Sequence, residues 1–445
     1  MEEFAMEDRV SQEAVEAALA ALDLDTKTRL LQGQDMWTLP AVPEIGLESL
    51  VMSDGPVGVR GVLWGPEDPS VLLPSPTAMA ATWDPELVHR AGVLLAQEAR
   101  RKGVHLLLAP TVNMHRTPLG GRHFEAYSED PLLTGAIGSA YVRGVQSGGV
   151  GATVKHFVAN DAETDRMSVD NIVSANALRE LYLAPFETIV EDARPWAVMS
   201  AYNSVNGTTM SEHDELLNGV LRGEWGFDGC VVSDWMGAHS TVGAITGGLD
   251  IAMPGPRAVF GEHLAAAVRG GRVDEAVVDD AVRRVLVLAA RAGVLEGAPA
   301  AVTDFPHAVD GRATASEIAR RSFVLVRNPA RGGAPTLPID PSDTTVALIG
   351  LAARDARVLG GGSAQVFPEA VVSPLDGLTA ALPDGALDYS VGAMLSDRMG
   401  TAASGFDLRA RCYNESGALL RELDLSDGSV AWIGTLPEGV DYAAV

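Results

Sequence analysis

The sequence predicts an α/β protein built on a barrel of parallel strands, and three observations predict it. Short apolar runs alternate with helical stretches over residues 48–292. The runs are apolar throughout, which is typical of strands buried on both faces. Reactive polar side chains directly follow several runs, and barrels build active sites at the carboxyl ends of their strands. A doubly wound open sheet is the alternative, but its crevice would gather fewer strand ends.

Six apolar runs are the candidate strands, and each ends in small or polar residues. Helical patterns between them make βα units, so we expect a (β/α)₈ TIM-like barrel over residues 1–300. Its first strand is expected to be missing or irregular. The runs are 50–52, 106–109, 152–154, 197–199, 230–232 and 249–253, and the helical patterns are 85–101, 177–192, 262–269 and 274–292.

Two shorter helices are expected before the barrel strands. Residues 14–22 repeat apolar side chains at helical spacing. A second helix is expected to begin at an Asp25 cap and to end at Gly33, because these residue types mark helix starts and stops.

The remainder predicts three further segments. Residues 301–320 form a linker, 321–405 the first part of an α/β sandwich domain, and 406–445 the start of a β-sandwich. Within them, Thr314 and Glu317 have capping-box spacing, which predicts a helix start. Strands are expected at 322–327, 345–349, 419–425 and 430–433, and apolar residues alternate with polar ones from Phe406 onward.

Charge and composition exclude several classes of partner. The 445 residues include 59 acidic and 33 basic side chains, a formal net charge of -26. Such a field repels phosphate backbones, so we expect no nucleic acid partner and favour a neutral small molecule. No apolar run approaches the ~18 residues of a membrane span, so no membrane partner is expected. The oligomeric state is not indicated.

Sequence motifs for cofactors, metals and export are also missing. Two cysteines make no disulfide framework or zinc spacing, and the nine histidines form no helical pair. Residues 360–363 lack the Lys-Ser/Thr of a phosphate loop, and no GxSxG elbow occurs. We therefore expect no cofactor and no metal. The acidic N-terminus does not read as a signal peptide, which predicts a cytoplasmic location without excluding secretion.

Asp234 is the sharpest catalytic candidate, because it follows a buried run and precedes Trp235. A carboxylate there can attack an electrophilic carbon while the indole stacks on a sugar, although an Asp in this position can equally cap the next helix. Lys155 and His156 follow another run and can bind hydroxyls. Asp54 and Arg122 could each hydrogen-bond to two hydroxyls, or could be ordinary ion-pair partners.

Together these fragments resemble glycoside hydrolase family 3, in the family's order. The resemblance covers about residues 25–400, and is greatest to bacterial β-glucosidases with a protective-antigen-type β-sandwich inserted in the second domain. It is carried by the motifs at 28–37 (TRLLQGQDMW), 53–60 (SDGPVGVR), 121–125 (GRHFE), 155–157 (KHF), 199–203 (MSAYN) and 232–235 (VSDW).

The resemblance implies a retaining, exo-acting β-glucosidase that releases a terminal β-D-glucosyl residue. Asp234 would be the nucleophile that forms a glycosyl-enzyme, and Trp235 would stack at the next subsite. The hydroxyls of the terminal sugar would be bound by Asp54, Arg122, Lys155, His156 and Arg166, with Met199 and Tyr202 at the border of that subsite.

The acid/base residue is not identified. In the family it is a Glu of the second domain that comes after the sandwich insert, which lies beyond residue 445, and Glu369 matches no acid/base motif. Three alternatives therefore stay open. They are a β-xylosidase or arabinosidase of the same family, a sugar-binding protein without turnover, and an unrelated barrel lyase that uses Lys155 as a Schiff base.

Overall fold

The computed structural model describes residues 2–256, 259–331, 333–341, 345–393, 408–414, 416–425 and 442–444. The chain divides into two compact units. Met1–Ile339 and Arg357–Val372 form the first, and Asp340–Ala356 and Ser373–Val445 form the second. The domain boundaries expected at residues 300, 320 and 405 stay predictions.

A curled parallel sheet lies at the centre of the first unit. Its five strands pair in the order β1-β2-β3-β5-β8, and every pair is parallel. All residues of these strands are buried, as the continuous apolar runs predict. The strands are β1 (Met52–Asp54), β2 (Leu106–Leu108), β3 (Gly151–Phe157), β5 (Ala197–Ser200) and β8 (Cys230–Ser233).

Isolated bridges close this sheet into a ring. Ile251 pairs with Val232 of β8, and the next residue, Ala252, pairs with Gln32. The chain then runs from Gln32 to Thr38, which pairs in antiparallel orientation with Val51 beside β1. The predicted TIM-like α/β class is confirmed. The ring does not consist of eight regular strands, because these three isolated bridges stand where a regular barrel has longer runs of strand pairing. The first barrel segment is irregular because it pairs antiparallel.

Helices surround the ring, and their caps follow from the sequence. Asp84 and Asp130 each accept amide hydrogen bonds at a helix start, and a proline follows each of them in the first turn. The helices are α1 (Glu2–Ala21), α2 (Leu24–Leu30), α3 (Pro76–Ala81), α4 (Pro85–Arg101), α5 (Pro131–Ser147), α6 (Ala175–Ala177), α7 (Ala184–Ala193), α8 (Thr241–Thr246), α9 (Glu262–Arg269), α10 (Glu275–Arg291) and α11 (Gly311–Arg321).

Shorter elements connect this framework. Two π-helical segments span Leu178–Leu183 and Glu215–Glu224. A small sheet pairs β4 (Asp170–Asn171), β6 (Ser204–Val205) and β7 (Thr208–Thr209), and β9 (Ala330–Arg331) pairs with β10 (Ala334–Pro335). Single 3₁₀ turns occur at Pro43–Ile45, His123–Glu125, Met210–Glu212, Leu351–Ala353 and Gly362–Ala364.

Three local predictions are wrong. Helix α2 begins after Asp23, whose carboxylate accepts the Thr26 amide, and not at Asp25. Helix α11 is capped by Asp310, so it starts before the expected capping box at Thr314. The expected strand at 322–327 forms no ladder in the described part of the chain, and residues 323–326 are exposed.

The second unit contains two small sheets among its described residues. In one, β11 (Val346–Ile349) pairs in parallel with β12 (Leu387–Ser390), and α12 (Pro374–Ala381) packs on β12. In the other, β13 (Arg409–Tyr413) lies between β14 (Leu419–Asp424) and β15 (Tyr442–Ala444). Burial alternates along β13 as its period-two pattern predicts. Phe406 and the expected strand at 430–433 lie outside the described residues.

None of the helices in the described ranges is both long enough and apolar enough to cross a bilayer.

Candidate active site

Side chains from several strand ends converge on Asp234, which directly follows β8. The carboxylate is buried, its Oδ1 accepts the Trp235 amide at 2.7 Å, and the Tyr202 hydroxyl also hydrogen-bonds to the carboxylate. None of the described donors makes a close, well-aligned hydrogen bond to its Oδ2. Burial raises the pKa of Asp234 above its ordinary value, although the nearby cations of Arg122 and Lys155 oppose that shift. Oδ2 is therefore an unoccupied acceptor held among positive charges.

Asp54 and Lys155 form a buried ion pair between β1 and β3. Lys155 Nζ lies 2.8 Å from Asp54 Oδ1, and both side chains are almost fully buried. Burial alone would raise the pKa of Asp54, but Lys155, the Ser363 hydroxyl and Arg60 outweigh burial, so its pKa is lowered. Asp54 is therefore held in its ionised form.

His156 lies between Asn113 and Arg122. Its Nδ1 is 3.0 Å from Asn113 Oδ1, and its Nε2 is 3.0 Å from Arg122 Nη2. Burial lowers the pKa of His156 well below its usual value, and the cations of Arg122, Lys155 and Arg166 lower it further. A neutral imidazole follows, so the 3.5 Å separation of Nε2 from Asp234 Oδ2 is no ion pair.

Arg122 comes from the loop after β2 and is fixed by Glu125. Its Nε and Nη2 donate to the two oxygens of that carboxylate at 2.9 and 3.1 Å. Burial opposes the charge, but Glu125, Asp234 and Asp54 raise the pKa of Arg122. A bidentate, permanently charged guanidinium is thereby oriented toward His156 and Asp234.

The other predicted site residues occupy different positions. Tyr202 is buried, and burial together with Asp234 raises the pKa of its hydroxyl. Arg166 lies on an exposed loop with its guanidinium 5.5 Å from the Tyr202 ring centroid, and it donates to Glu163 at 2.9 Å. Arg166 is therefore the least constrained of the predicted ligands.

Trp235 and Met199 are buried rather than open. The Trp235 indole donates to the Met36 carbonyl at 2.8 Å and packs against Trp37, with ring centroids 5.1 Å apart. Met199 lies within β5 and pairs with Val232 of β8. The predicted roles of both residues in sugar binding stay predictions.

Sequence reasoning missed four residues that the fold brings to this site. Asn113 follows a candidate strand, so its position was a usable signal, and Arg60 belongs to the same motif as Asp54. Ser363 lies in the glycine-rich loop and faces Asp54 only through tertiary folding. Asp161 lines a small cavity with Arg122 and His156, and burial raises its pKa to about 6.

The arrangement offers no evident metal ligand set. Among the side chains that the structure describes, no group of three or more His, Cys, Asp or Glu is positioned to hold a metal ion. Both cysteines, Cys230 and Cys412, are buried and free. The candidate site consists of the Asp234 carboxylate, which can accept hydrogen bonds, beside the hydrogen-bonded side chains of Arg122 and His156.

The fold and site define a class: an α/β-barrel protein with a buried, cation-flanked carboxylate at the carboxyl ends of its strands. Residues 46–288 match the Glycosyl hydrolase family 3 N terminal domain. The chain belongs to glycosyl hydrolase family 3.

Similar proteins agree with this assignment. A beta-glucosidase of Rhizobium radiobacter is 45% identical over 383 residues, which is 85% of this chain and 46% of that protein. A probable beta-glucosidase J of Aspergillus fumigatus is 43% identical over 374 residues, which is 83% of this chain and 43% of that protein. The chain thus spans about half the length of the curated relatives it matches.

Solved structures have the same fold. The beta-glucosidase of Kluyveromyces marxianus in complex with glucose has a TM-score of 0.82 and 34% identity, and the match covers 95% of this chain and 53% of that one. Beta-glucosidase 3B of Thermotoga neapolitana in complex with glucose has a TM-score of 0.75 and 36% identity, with 85% and 55% covered.

Proposed function

We propose that this chain carries the sugar-binding and nucleophile-bearing part of a retaining, exo-acting β-glucosidase. In this proposal Asp234 Oδ2 attacks the anomeric carbon of a terminal β-D-glucosyl residue, the bond to the leaving oxygen breaks, and a glycosyl-enzyme forms. The observation that carries the proposal is that this oxygen is buried and accepts no close, well-aligned hydrogen bond from the described residues. The family membership of the chain supports it.

The surrounding charges fit the demands of this step. An attacking carboxylate must be ionised, and Arg122 and Lys155 both act against the rise that burial causes in the pKa of Asp234. Neutral His156 and the Tyr202 hydroxyl add groups that hydrogen-bond without changing the charge. The cluster can therefore hold an anion in a site from which much of the water is excluded.

The substrate proposed is a neutral sugar. The Asp54–Lys155 pair presents a carboxylate and an ammonium side by side, which together accept from and donate to vicinal hydroxyls. Arg60 Nη1 is also buried and has no hydrogen-bond partner among the described residues, so a further donor is available. Glucose complexes of two similar proteins support glucose as the sugar.

The general acid is proposed to come from outside these 445 residues, as the family resemblance implies. General acid help contributes ~10²–10⁴-fold to such reactions. A substrate whose leaving group departs without protonation therefore tests Asp234 independently of the acid.

The test is intact mass after incubation with dinitrophenyl 2-deoxy-2-fluoro-β-glucoside, from which dinitrophenolate leaves when Asp234 is glycosylated. We expect one fluoroglucosyl adduct, mapped by peptide mass to Asp234, and no adduct with Asp234→Asn. Asp228→Asn is the matched control, because it makes the same chemical change at an exposed carboxylate that pairs with Arg291, and this variant should be labelled like the unaltered chain.

The other outcomes decide between the alternatives. Faster labelling by the corresponding 2-fluoroxylosyl donor would favour a xylosidase. Glucose binding by calorimetry without any adduct would reduce the chain to a sugar-binding protein. An adduct at Lys155 after borohydride treatment with a carbonyl compound, and none at Asp234, would overturn the glycosidase proposal.

A further inference from the structure

The side-chain amide of Asn113 hydrogen-bonds to both the backbone N–H and the backbone carbonyl of His156. Asn113 Oδ1 accepts the His156 amide at 2.8 Å, and Asn113 Nδ2 donates to the His156 carbonyl at 2.9 Å. A backbone N–H can only donate and a backbone carbonyl can only accept. These two contacts therefore fix which end of the Asn113 amide is oxygen.

The same oxygen fixes the protonation of the imidazole ring. Asn113 Oδ1 lies 3.0 Å from His156 Nδ1, and because an amide oxygen can only accept, Nδ1 must carry the proton. On the opposite edge, Arg122 Nη2 lies 3.0 Å from Nε2, and a guanidinium can only donate. Nε2 must therefore present its lone pair, and one tautomer satisfies both contacts.

This tautomer matters for Asp234. His156 Nε2 lies 3.5 Å from Asp234 Oδ2, and because its single lone pair accepts from Arg122, it has no proton to donate to that oxygen. In the other tautomer Nε2 would carry a proton next to Oδ2 and would face the Arg122 donor, so a repulsive contact would replace that hydrogen bond. Arg122 would lose its acceptor, and Asn113 Oδ1 would face a lone pair.

We propose that Asn113 is a positioning residue that holds His156 in the Nδ1–H tautomer, so that His156 Nε2 accepts from Arg122 and does not donate to Asp234 Oδ2. The role of Oδ2 as the attacking atom rests on the proposed function, whereas the tautomer does not. Asn113 touches neither Asp234 nor a reacting atom in this account, and it acts through His156.

Asn113 is itself held firmly, which a positioning residue requires. Its side chain is buried, and the amides on either side of it are bonded. Val112 donates to the Lys155 carbonyl at 2.7 Å, and Met114 donates to Asp161 Oδ1 at 3.0 Å. The segment after β2 is thereby fixed to β3 and to the loop that follows it.

The first test is the ¹⁵N spectrum of the chain labelled at its nine histidines, with His156→Gln used only to identify the signals of that ring. We expect Nδ1 of His156 to be the protonated, pyrrole-type nitrogen and Nε2 to be the bare, pyridine-type nitrogen. A protonated Nε2, with or without a protonated Nδ1, would overturn the proposal. This measurement does not depend on catalytic activity.

The second test compares two substitutions. Asn113→Asp keeps an acceptor for Nδ1–H but loses the donor to the His156 carbonyl, whereas Asn113→Leu loses both. We expect Asn113→Asp to retain the tautomer and most of the labelling rate, and Asn113→Leu to move the proton to Nε2 and to slow labelling by ~10–100-fold. Equal losses in both variants, with the tautomer unchanged, would make Asn113 a purely structural contact.

The outcomes separate this inference from the proposed function. If no form of the chain is labelled, the proposed function fails while the spectra still decide the tautomer. If circular dichroism finds Asn113→Leu unfolded, the unaltered chain and Asn113→Asp carry the test, because loss of the Nδ1 proton in Asn113→Asp would contradict the proposal.

Discussion

Asp54 and Asp234 lie at strand ends of one ring, but their surroundings shift their pKa values in opposite directions. Asp54 has Lys155 at 2.8 Å, and its pKa is lowered in spite of burial. Asp234 has more distant cations and a raised pKa. One carboxylate is thus committed to an ion pair, and the other keeps an oxygen without a close hydrogen-bond donor among the described residues.

Arg122 offers a test of the predicted sugar ligands. Arg122→Lys removes the bidentate contact with Glu125 and the donor to His156, because an ammonium cannot reproduce the planar fork. We expect fluoroglucoside labelling to fall by ~10–100-fold, as for a lost charge-assisted hydrogen bond.

Arg166→Lys makes the same change at another predicted sugar ligand, one that is held less firmly. Arg166 is partly exposed and pairs with Glu163 on its own loop, so a loss of no more than about threefold is expected. The rates are measured by intact mass against time. Similar losses in the two variants would contradict the difference in constraint between the two arginines.

Asp161 gives a prediction for the pH dependence of stability. Burial raises its pKa from 3.8 to about 6, so the folded state binds more protons than the unfolded state between these values. The free energy of unfolding should therefore fall as pH rises from about 4 to about 6. The ionised carboxyl then costs the folded state up to about 3 kcal/mol at neutral pH.

Asp161→Asn should remove that cost, because the amide oxygen can still accept the Met114 amide. Urea unfolding of both forms is the measurement. We expect the variant to gain stability over the unaltered chain as pH rises through about 6, and to match it below about 4. If the difference in unfolding free energy between the two forms does not change with pH, ionisation of Asp161 is not its cause.

At the scale of elements, the ring is tied together by a buried carboxylate away from the candidate site. Asp250 is fully buried, and its oxygens contact Arg222 at 2.6 Å and Arg284 at 2.9 Å. Oδ2 also accepts the Val231 amide at 2.7 Å. One side chain thus joins β8, a π-helical segment and α10, so it links the ring to two of the helices around it.

Asp250→Ala should destabilise the fold strongly. It leaves two arginines partly buried without their partner, and breaking such a buried network costs about 3–5 kcal/mol. Asp228→Ala breaks a 2.6 Å pair with Arg291 in which the carboxylate is 57% exposed, and should cost less than about 1 kcal/mol. Urea denaturation measures both, and equal losses would refute the structural role of Asp250.

The sequence was sufficient for most elements because local signals and tertiary environment agree there. Continuous apolar runs gave the sheet strands, and Asp274 at the start of α10 is an observed cap. The prediction of a strand at 322–327 was wrong because an apolar, β-branched segment becomes a strand only when another strand pairs with it. The prediction of Asp25 as the cap of α2 was wrong because the side chain of Asp23, two residues earlier, accepts the Thr26 amide instead.

The candidate site was predicted in part for a related reason. Residues that end strands, such as Asp54, Lys155 and Asp234, are visible in sequence because strand ends meet at one edge of a parallel sheet. Ser363 lies about 300 residues after Asp54, and no local pattern pairs the two. The tautomer of His156 depends on Arg122 and Asn113 together, which spacing alone does not reveal.

At the scale of the molecule, an apolar segment is exposed to solvent. Residues 323–326 are a phenylalanine, a valine, a leucine and a valine, and their exposed fractions lie between 63% and 90%. Adjacent exposed apolar side chains on an unpaired extended segment favour association between molecules. We therefore expect the chain to self-associate as its concentration rises.

Val326→Glu should reduce this association, measured by light scattering over a range of concentrations. Ile172→Glu is the matched control, because Ile172 is 80% exposed, lies outside the segment and gains the same charge. Only the first variant should lower the apparent mass. A single monomeric mass for the unaltered chain at every concentration would contradict the expectation.

The closure of the ring also constrains how the chain is made. Gln32 pairs with Ala252, a partner 220 positions later in the chain. During synthesis the N-terminal segment therefore has to wait until about 250 residues have been translated before its last barrel contact can form. At roughly 5–20 residues per second this delay is on the order of ten to fifty seconds, during which nascent strands have an unfilled edge that a chaperone could cover.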